Sequence, residues 1–253
     1  MNIPRMEFRV GSIKEIFDHL HFFLNPKAGK WDWSKQIYKH YPDLETKLQK
    51  VKDKKERKAV EYQFFTEELA NKKQELEIQK ELFQKEWDKL NNEVMLALSK
   101  VLEQDWPEKD KLMIARLSLS PICPRYIKQR IFDVFYKEKE YMKGVTIHEL
   151  LHFIYFEKWK KVFPKTKEKE FNSPHLVWKL SEMVPEILLN DKRIQEVFKY
   201  HFKSYKEYRK FKLNNKPLLE YLQEFYNERK DFSDFLIKSW DFINKHKKEI
   251  NSI

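Results

Sequence analysis

Apolar and charged positions follow a helical period over much of the chain. Residues 43–106 contain no glycine or proline, and single apolar side chains stand among runs of lysine and glutamate. This stretch predicts helix, arranged as an antiparallel pair that turns near Ala70–Lys73. Nearer the N-terminus, Ser12 followed three residues later by Glu15 fits a capping box and predicts a helix that ends near Leu24. A turn is expected at residues 25–30 (NPKAGK), followed by an aromatic cluster expected in the core: Trp31, Trp33, Tyr38 and Tyr41.

The period changes to two after residue 106. In Leu112–Ser120 an apolar side chain alternates with Arg116, Ser118 and Ser120, as in a strand, and Pro121 ends the run. Ile131–Tyr136 is a second β-branched and aromatic run that can pair with the first, and MEFRV (residues 6–10) is a possible short strand. The sequence therefore predicts a small sheet in the middle of the chain.

Helical spacing returns in the second half. One helix is predicted from Thr146 to about Lys161, after Gly144, and another opens at Ser173-Pro174 with a capping residue and a proline in its first turn. Pro185 lies well inside that second helix and is expected to kink it, because proline lacks the backbone donor. Three further helices are predicted and complete the chain: Asp191–Phe211, Lys216–Arg229 and Ser233–Lys248.

The composition favours a mostly helical fold. The 253 residues include only three glycines, and 41% are hydrophobic, which is enough for a sizeable core. We expect a mainly α protein with a small antiparallel or mixed β-sheet. Three regions are distinguished along the chain: an N-terminal helical region (1–79), a core with the small sheet (80–190) and a C-terminal helical region packed on it (191–253).

The net charge of +11 allows nucleic acid, an anionic membrane surface or an acidic protein as a partner. Lysine alternates with glutamate along most of the chain, which is typical of solvated helix faces, so we interpret the excess as diffuse. The single cysteine excludes an intramolecular disulfide, no secretory signal is visible in the first 24 residues, and no apolar run is long enough to cross a membrane. A cytoplasmic location without membrane contact is expected.

The segment HELLH, residues 148–152, carries the main chemical signal. Side chains four apart lie on one face of a helix, so His148 and His152 can direct two imidazoles at one point. Catalytic zinc takes three protein ligands and keeps a position for water, and a glutamate beside the first histidine is placed to accept that water's proton. Glu149 fits this role, and the apolar residues around it suit a buried helix. The alternative is a core helix whose two histidines are merely satisfied.

A third ligand is expected on a nearby element, and SEMVPE (residues 181–186) offers Glu182 and Glu186. An HExxH helix followed about thirty residues later by a helix-borne glutamate resembles the gluzincin clan of zinc metallopeptidases, the thermolysin-like enzymes. The resemblance covers about residues 80–190 and is nearest to compact members of the clan. It implies a zincin-like α+β core in which His148, His152 and Glu182 bind zinc.

The second helix of that clan reads Asn-Glu-x-x-Ser-Asp, and the acid four residues after the ligand supports a histidine ligand. Glu186 takes this supporting position here, whereas serine replaces the asparagine and Pro185 replaces the serine. Since a kink at Pro185 can bring Glu186 forward, Glu186 stays an alternative third ligand. The resemblance also implies that an edge strand binds substrate as an added strand, supplied by Leu112–Ser120 or Ile131–Tyr136.

These observations predict a zinc-dependent metallopeptidase with a peptide or protein as substrate and Glu149 as general base. Two alternatives stay open: a zinc-binding protein of the same fold with a non-proteolytic role, and a basic helical nucleic-acid-binding protein with a chance HExxH, which the charge pattern does not favour. In peptide hydrolysis, negative charge develops on the substrate's carbonyl oxygen and needs a hydrogen-bond donor to stabilise it. Four residues are candidates for it, and no motif selects among them: Tyr155, His175, Tyr200 and His201.

Overall fold

The computed structural model describes residues 2–25, 32–137 and 141–253, so Trp31 and all but the first residue of the predicted turn at 25–30 lie outside the described residues. The fold is mainly α-helical with a small mixed sheet, as the sequence predicts. The helices are α1 (Ile13–Leu24), α2 (Ser34–His40), α3 (Pro42–Gln49), α4 (Lys54–Asp88), α5 (Asn91–Leu102), α6 (Met142–Val162), α7 (Leu176–Met183), α8 (Pro185–Leu188), α9 (Lys192–Gln195), α10 (Lys206–Lys210), α11 (Leu218–Asn227), α12 (Phe232–Lys245) and α13 (Lys247–Ile250). The strands are β1 (Arg5–Val10), β2 (Leu112–Ser118), β3 (Arg125–Tyr126), β4 (Ile131–Phe135), β5 (Lys212–Leu213) and β6 (Lys216–Pro217).

The chain folds into two compact units. Unit 1 comprises Met1–Pro4, Leu90–Lys111 and Ile147–Ile253, and unit 2 comprises Arg5–Lys89 and Leu112–Thr146. The three regions distinguished in the sequence do not coincide with these units, because residues 80–190 contribute to both of them.

The larger sheet lies in unit 2 and has the strand order β1-β2-β4-β3. β1, β2 and β4 are parallel, with Arg5 opposite Leu112 and Ile114 opposite Ile131, and β3 is antiparallel to β4. The predicted pairing of the two central runs and the short N-terminal strand are confirmed. The expectation that one of those runs is a substrate-binding edge strand is wrong: β2 lies between β1 and β4, and β4 lies between β2 and β3.

Polar groups on β2 and β4 are buried rather than solvated. Arg116 donates from Nε to the Asp133 carboxylate (2.6 Å), and His19 Nδ1 lies 2.6 Å from the same carboxylate. The hydroxyl of Ser120 lies 3.3 Å from the other nitrogen of His19, which connects serine, histidine and aspartate as in a hydrolase triad. Ser120 and Asp133 are fully buried, so no substrate reaches this hydroxyl, and the network stabilises the sheet.

The helix before the sheet is longer than predicted. α4 continues through Ala70–Lys73, where a turn was expected, because the segment ANKK contains no helix-breaking residue. Asp53 caps its first turn by accepting from the backbone N–H groups of Lys55 and Glu56. The helix ends only at Asp88, before α5 begins at Asn91.

The predicted aromatic cluster is only partly a core. Tyr41 is 4% exposed and packs on Phe64 and Phe65, whereas Trp33 and Tyr38 are half-buried. In the part of the chain that the structure describes, no helix combines the length and the apolar character that crossing a membrane requires.

The helices of unit 1 depart from their predicted ends. α6 begins at Met142, so Gly144 lies in its first turn, and α7 begins at Leu176 because His175 N donates to the Asn172 carbonyl in a turn before it. The continuous helix expected over Asp191–Phe211 is wrong, since only α9 and α10 are helical there. The last two predicted helices are confirmed in shorter form as α11 and α12.

Candidate metal centre

α6 presents its two histidines at the same point. The Nε2 atoms of His148 and His152 are 2.9 Å apart, as the spacing of one helical turn predicts. His152 is fully buried, and the helix around it is held by apolar side chains that are also fully buried: Ile147, Leu150, Leu151, Phe153 and Ile154. The side chain of His148 is 26% exposed, so the pair is reached from solvent on the His148 side.

α7 adds a carboxylate to this pair. Glu182 lies 3.5 Å from His148 Nε2 through one oxygen and 3.6 Å from His152 Nε2 through the other, and its side chain is 2% exposed. One ligand atom from each of the three residues lies within 4.8 Å of the other two. The structure therefore brings together the three residues that the sequence singled out as ligands.

Pro185 interrupts the glutamate helix where the sequence predicts a kink. α7 ends at Met183, and Pro185 becomes the first residue of α8, where a missing N–H costs nothing. Glu182 thus lies in the last turn of α7, upstream of the interruption.

The donor set fits a divalent metal ion. Tetrahedral ligands at zinc distances are separated from each other by about 3.3 Å, close to the 2.9, 3.5 and 3.6 Å found here. Two imidazole nitrogens and one carboxylate oxygen are a ligand set that zinc accepts, with a fourth position left for water. Glu149 and Glu182 are 5% and 2% exposed, and a nearby cation would offset the cost of burying two carboxylates.

Glu149 is placed at the metal centre. Its Oε1 lies 4.0 Å from His148 Nε2, and its side chain is 7% exposed. A carboxylate at this distance would be close enough to contact a water molecule if a metal ion were bound by the neighbouring residues, as a general base requires.

Glu186 lies outside the group of converging ligand atoms. Its Oε2 accepts hydrogen bonds from the backbone N–H of Ser204 (2.7 Å) and from the Ser204 hydroxyl (3.0 Å). Both donors belong to the segment between α9 and α10. The described contacts of Glu186 thus connect α8 to this segment.

A tyrosine that the sequence did not single out lies near the centre. Tyr208 on α10 is 4% exposed; burial raises the pKa of its phenol, and the negative charge of Glu182 raises it further. The phenol therefore stays protonated and is within electrostatic reach of the Glu182 carboxylate. Nothing in the sequence distinguishes Tyr208 from the other tyrosines of its lysine-rich stretch.

The four donor candidates named from the sequence are placed differently. Tyr155 is fully buried among aromatic rings, and its hydroxyl has no hydrogen-bond partner within the described residues. His175 precedes α7, and Tyr200 and His201 lie in the segment between α9 and α10, with His201 exposed.

Comparisons of the chain with protein-family models, with curated proteins and with solved structures give no match.

Proposed function

We propose that the protein is a zinc-dependent metallopeptidase whose metal ligands are His148, His152 and Glu182. The observation that carries the proposal is the convergence of two Nε2 atoms and one carboxylate, from two helices, at a point reached from solvent. The resemblance of the two motifs to the gluzincin pattern supports the same residues. The length of chain between the two motifs matches the clan's pattern, and the ligand atoms of the two helices lie close together in the fold.

The residues divide the chemistry between them. A zinc ion bound there acts as a Lewis acid and lowers the pKa of a bound water. Glu149 accepts a proton from the attacking water and can return it to the leaving amine, since a carboxylate beside the ligands is close to both. The buried apolar face of α6 fixes the orientation of both histidines and keeps the surroundings of the carboxylates dry. Ile147 and Leu151 belong to that face.

Replacement of the base tests the proposal. Glu149→Gln keeps the shape of the side chain, so zinc content should be unchanged while hydrolysis of a peptide library falls by about 10²–10⁴-fold, the usual contribution of a general base. Glu157→Gln on the same helix, where the native carboxylate pairs with Lys160, is the matched control and should keep full activity. Hydrolysis that survives in Glu149→Gln would show that the base is assigned wrongly.

A further inference from the structure

A strongly basic stretch lies beside the metal centre within unit 1. Residues 199–212 carry six lysines and arginines against one carboxylate, Glu207, a formal charge of +5 out of +11 for the whole chain. The charge excess is therefore less diffuse than the sequence pattern indicates. We call residues 199–212 the basic segment.

Three side chains from α8, α9 and the turn between them hold the first part of the basic segment. Gln195 Nε2 donates to the Tyr200 carbonyl (2.8 Å), and Asn190 both donates to the Phe202 carbonyl and accepts from the Phe202 N–H (2.9 Å each). Glu186 accepts from Ser204. Three alternate residues in the first part of the segment are thus bonded to side chains from the α8–α9 region: Tyr200, Phe202 and Ser204.

The intervening residues face solvent. Lys199, His201, Lys203 and Tyr205 are exposed, whereas Tyr200, Phe202 and Ser204 are buried or half-buried, which is the alternation of an extended chain. On α10 the same division holds, with Tyr208 buried and Lys206 and Lys210 exposed. The segment presents cations outward and anchors itself through its other face.

The cations of the basic segment lack carboxylate partners. Some exposed lysines elsewhere pair with a neighbouring acid, as Lys14 does with Asp18 and Lys89 with Glu86. Within the described residues five lysines of the segment form no ion pair: Lys199, Lys203, Lys206, Lys210 and Lys212. Uncompensated like charges at this density attract an anionic partner and raise its association rate.

We propose that the basic segment is a docking surface for an acidic, extended peptide stretch of the substrate cleaved at the metal centre. The inference rests on the proposed function, because the segment is fixed to the helices that follow the ligand Glu182. Side chains two apart in an extended backbone are about 6.6 Å apart, so Lys199 and Lys203, four residues apart, match carboxylates four residues apart in an extended peptide.

The composition of the segment favours a peptide over nucleic acid. Single-stranded nucleic acid is bound by successive exposed rings, whereas Phe202 is 6% exposed and Tyr208 is 4% exposed, which leaves His201 and Tyr205, four residues apart, as the exposed rings of the segment. Phosphate recognition favours the bidentate guanidinium, yet the cations are lysines except for Arg209, whose Nε donates to the Ser204 carbonyl.

Binding in the full chain tests the inference without relying on turnover. The probe is a fluorescein-labelled dodecapeptide of alternating glutamate and alanine, measured by anisotropy against zinc-loaded Glu149→Gln protein. Its glutamine counterpart and a labelled uridine dodecanucleotide are the comparison ligands. Binding of the glutamate peptide should exceed that of the glutamine peptide and weaken with salt, since exposed charges are screened.

Matched charge variants locate the site. Lys203→Gln, Lys206→Gln, Lys210→Gln and Lys212→Gln together should weaken binding of the acidic peptide about tenfold, since each exposed charge contributes modestly. The control replaces four exposed lysines of unit 2 in the comparably basic stretch 47–58: Lys50→Gln, Lys52→Gln, Lys54→Gln and Lys55→Gln. This control removes the same charge and should leave the affinity within about twofold of the parent.

Three results would overturn the inference: equal losses in both charge variants, no preference for glutamate over glutamine, or tighter binding of the oligonucleotide through the same four lysines. The proposed function fails separately. If acidic peptide binds through these lysines but the chain takes up no metal, the peptidase assignment is wrong and the docking surface stands. If Glu149-dependent hydrolysis occurs and the lysine variant cleaves acidic peptides with unchanged kcat/KM, the docking surface is wrong.

Discussion

At the residue scale the proposed chemistry depends on four buried or half-buried side chains on two helices. His148 and His152 present nitrogen atoms 2.9 Å apart, Glu182 reaches both, and Glu149 borders the pair. Groups of this kind are costly to bury unless they are compensated by a cation or by hydrogen bonds. A metal ion bound as proposed would supply such a cation.

The choice between the two glutamates can be tested directly. Glu182→Gln removes a charged ligand without changing the size of the side chain, and zinc affinity should fall by at least about 10–100-fold, the loss usual even for groups that only support a ligand. Glu186→Gln is the matched variant; it can still accept from Ser204 and should bind zinc as the parent does. Competition with a fluorescent zinc chelator measures both. The reverse order of affinities would identify Glu186 as the ligand.

Some of these residues could be predicted from the sequence and others could not. The four-residue spacing of the histidines is a local property of a helix, so their convergence follows from the pattern alone. The prediction of Glu182 as the third ligand depended on the resemblance to a known motif. The Ser204 contacts of Glu186 depend on a partner eighteen residues away, and the proximity of Tyr208 depends on how α10 packs, so neither could be derived from local spacing.

At the element scale, side chains compete with helix formation in the region after α8. The sequence predicts one helix over Asp191–Phe211, but Asn190 and Gln195 bond backbone groups of Phe202 and Tyr200 that a helix would use internally. Glu186 does the same at Ser204. The segment between α9 and α10 is consequently extended, which is what exposes its lysines.

Asp191 stabilises this region through contacts with a clear pH dependence. Its carboxylate caps α9 and accepts hydrogen bonds from Arg193 and from the Tyr226 hydroxyl on α11. Burial opposes ionisation, but these hydrogen bonds outweigh it and lower the pKa of Asp191 to about 2. Because folding lowers this pKa, the stabilisation is complete above pH ~4 and is lost as the pH falls from ~4 towards ~2.

Replacement of Asp191 should reproduce that dependence. At pH 7, Asp191→Asn should lower the free energy of unfolding by about 1–2 kcal/mol, and the difference from the parent should vanish near pH 2. Asp241→Asn, at an exposed position of α12, is the control and should change stability little at any pH. Urea unfolding at several pH values gives the comparison. A destabilisation that does not depend on pH would contradict the assignment of the ionised carboxylate.

At the scale of the whole molecule, the two compact units are built from interleaved stretches of chain. β1 pairs with β2 more than a hundred residues later, and α6 begins in unit 2 and carries His148 and His152 in unit 1. The fold class could be predicted from composition and periodicity. The order of the strands could not be predicted, because the local spacing of apolar residues does not encode which distant strands pair. For this reason the edge strand was predicted wrongly.

Metal binding should contribute to the stability of the chain. A ligand that binds only the folded state stabilises it by RT ln(1 + [L]/Kd), about 2.7 kcal/mol at a concentration one hundred times Kd, which corresponds to a change in Tm of about 5–10 °C for a chain of this size. A chelator should lower the Tm of the parent by this amount, and added zinc should restore it. Glu182→Gln should show little response to either treatment. Equal responses in the two proteins would place the stabilising metal elsewhere.

The most direct test of the central claim is the metal content of protein purified without chelators, measured by inductively coupled plasma mass spectrometry together with protein concentration. A centre formed by His148, His152 and Glu182 predicts about one zinc per chain in the parent and in Glu149→Gln, and much less in Glu182→Gln. Parent protein that contains no zinc, and takes up none on exposure to it, would contradict the assignment of a metal centre.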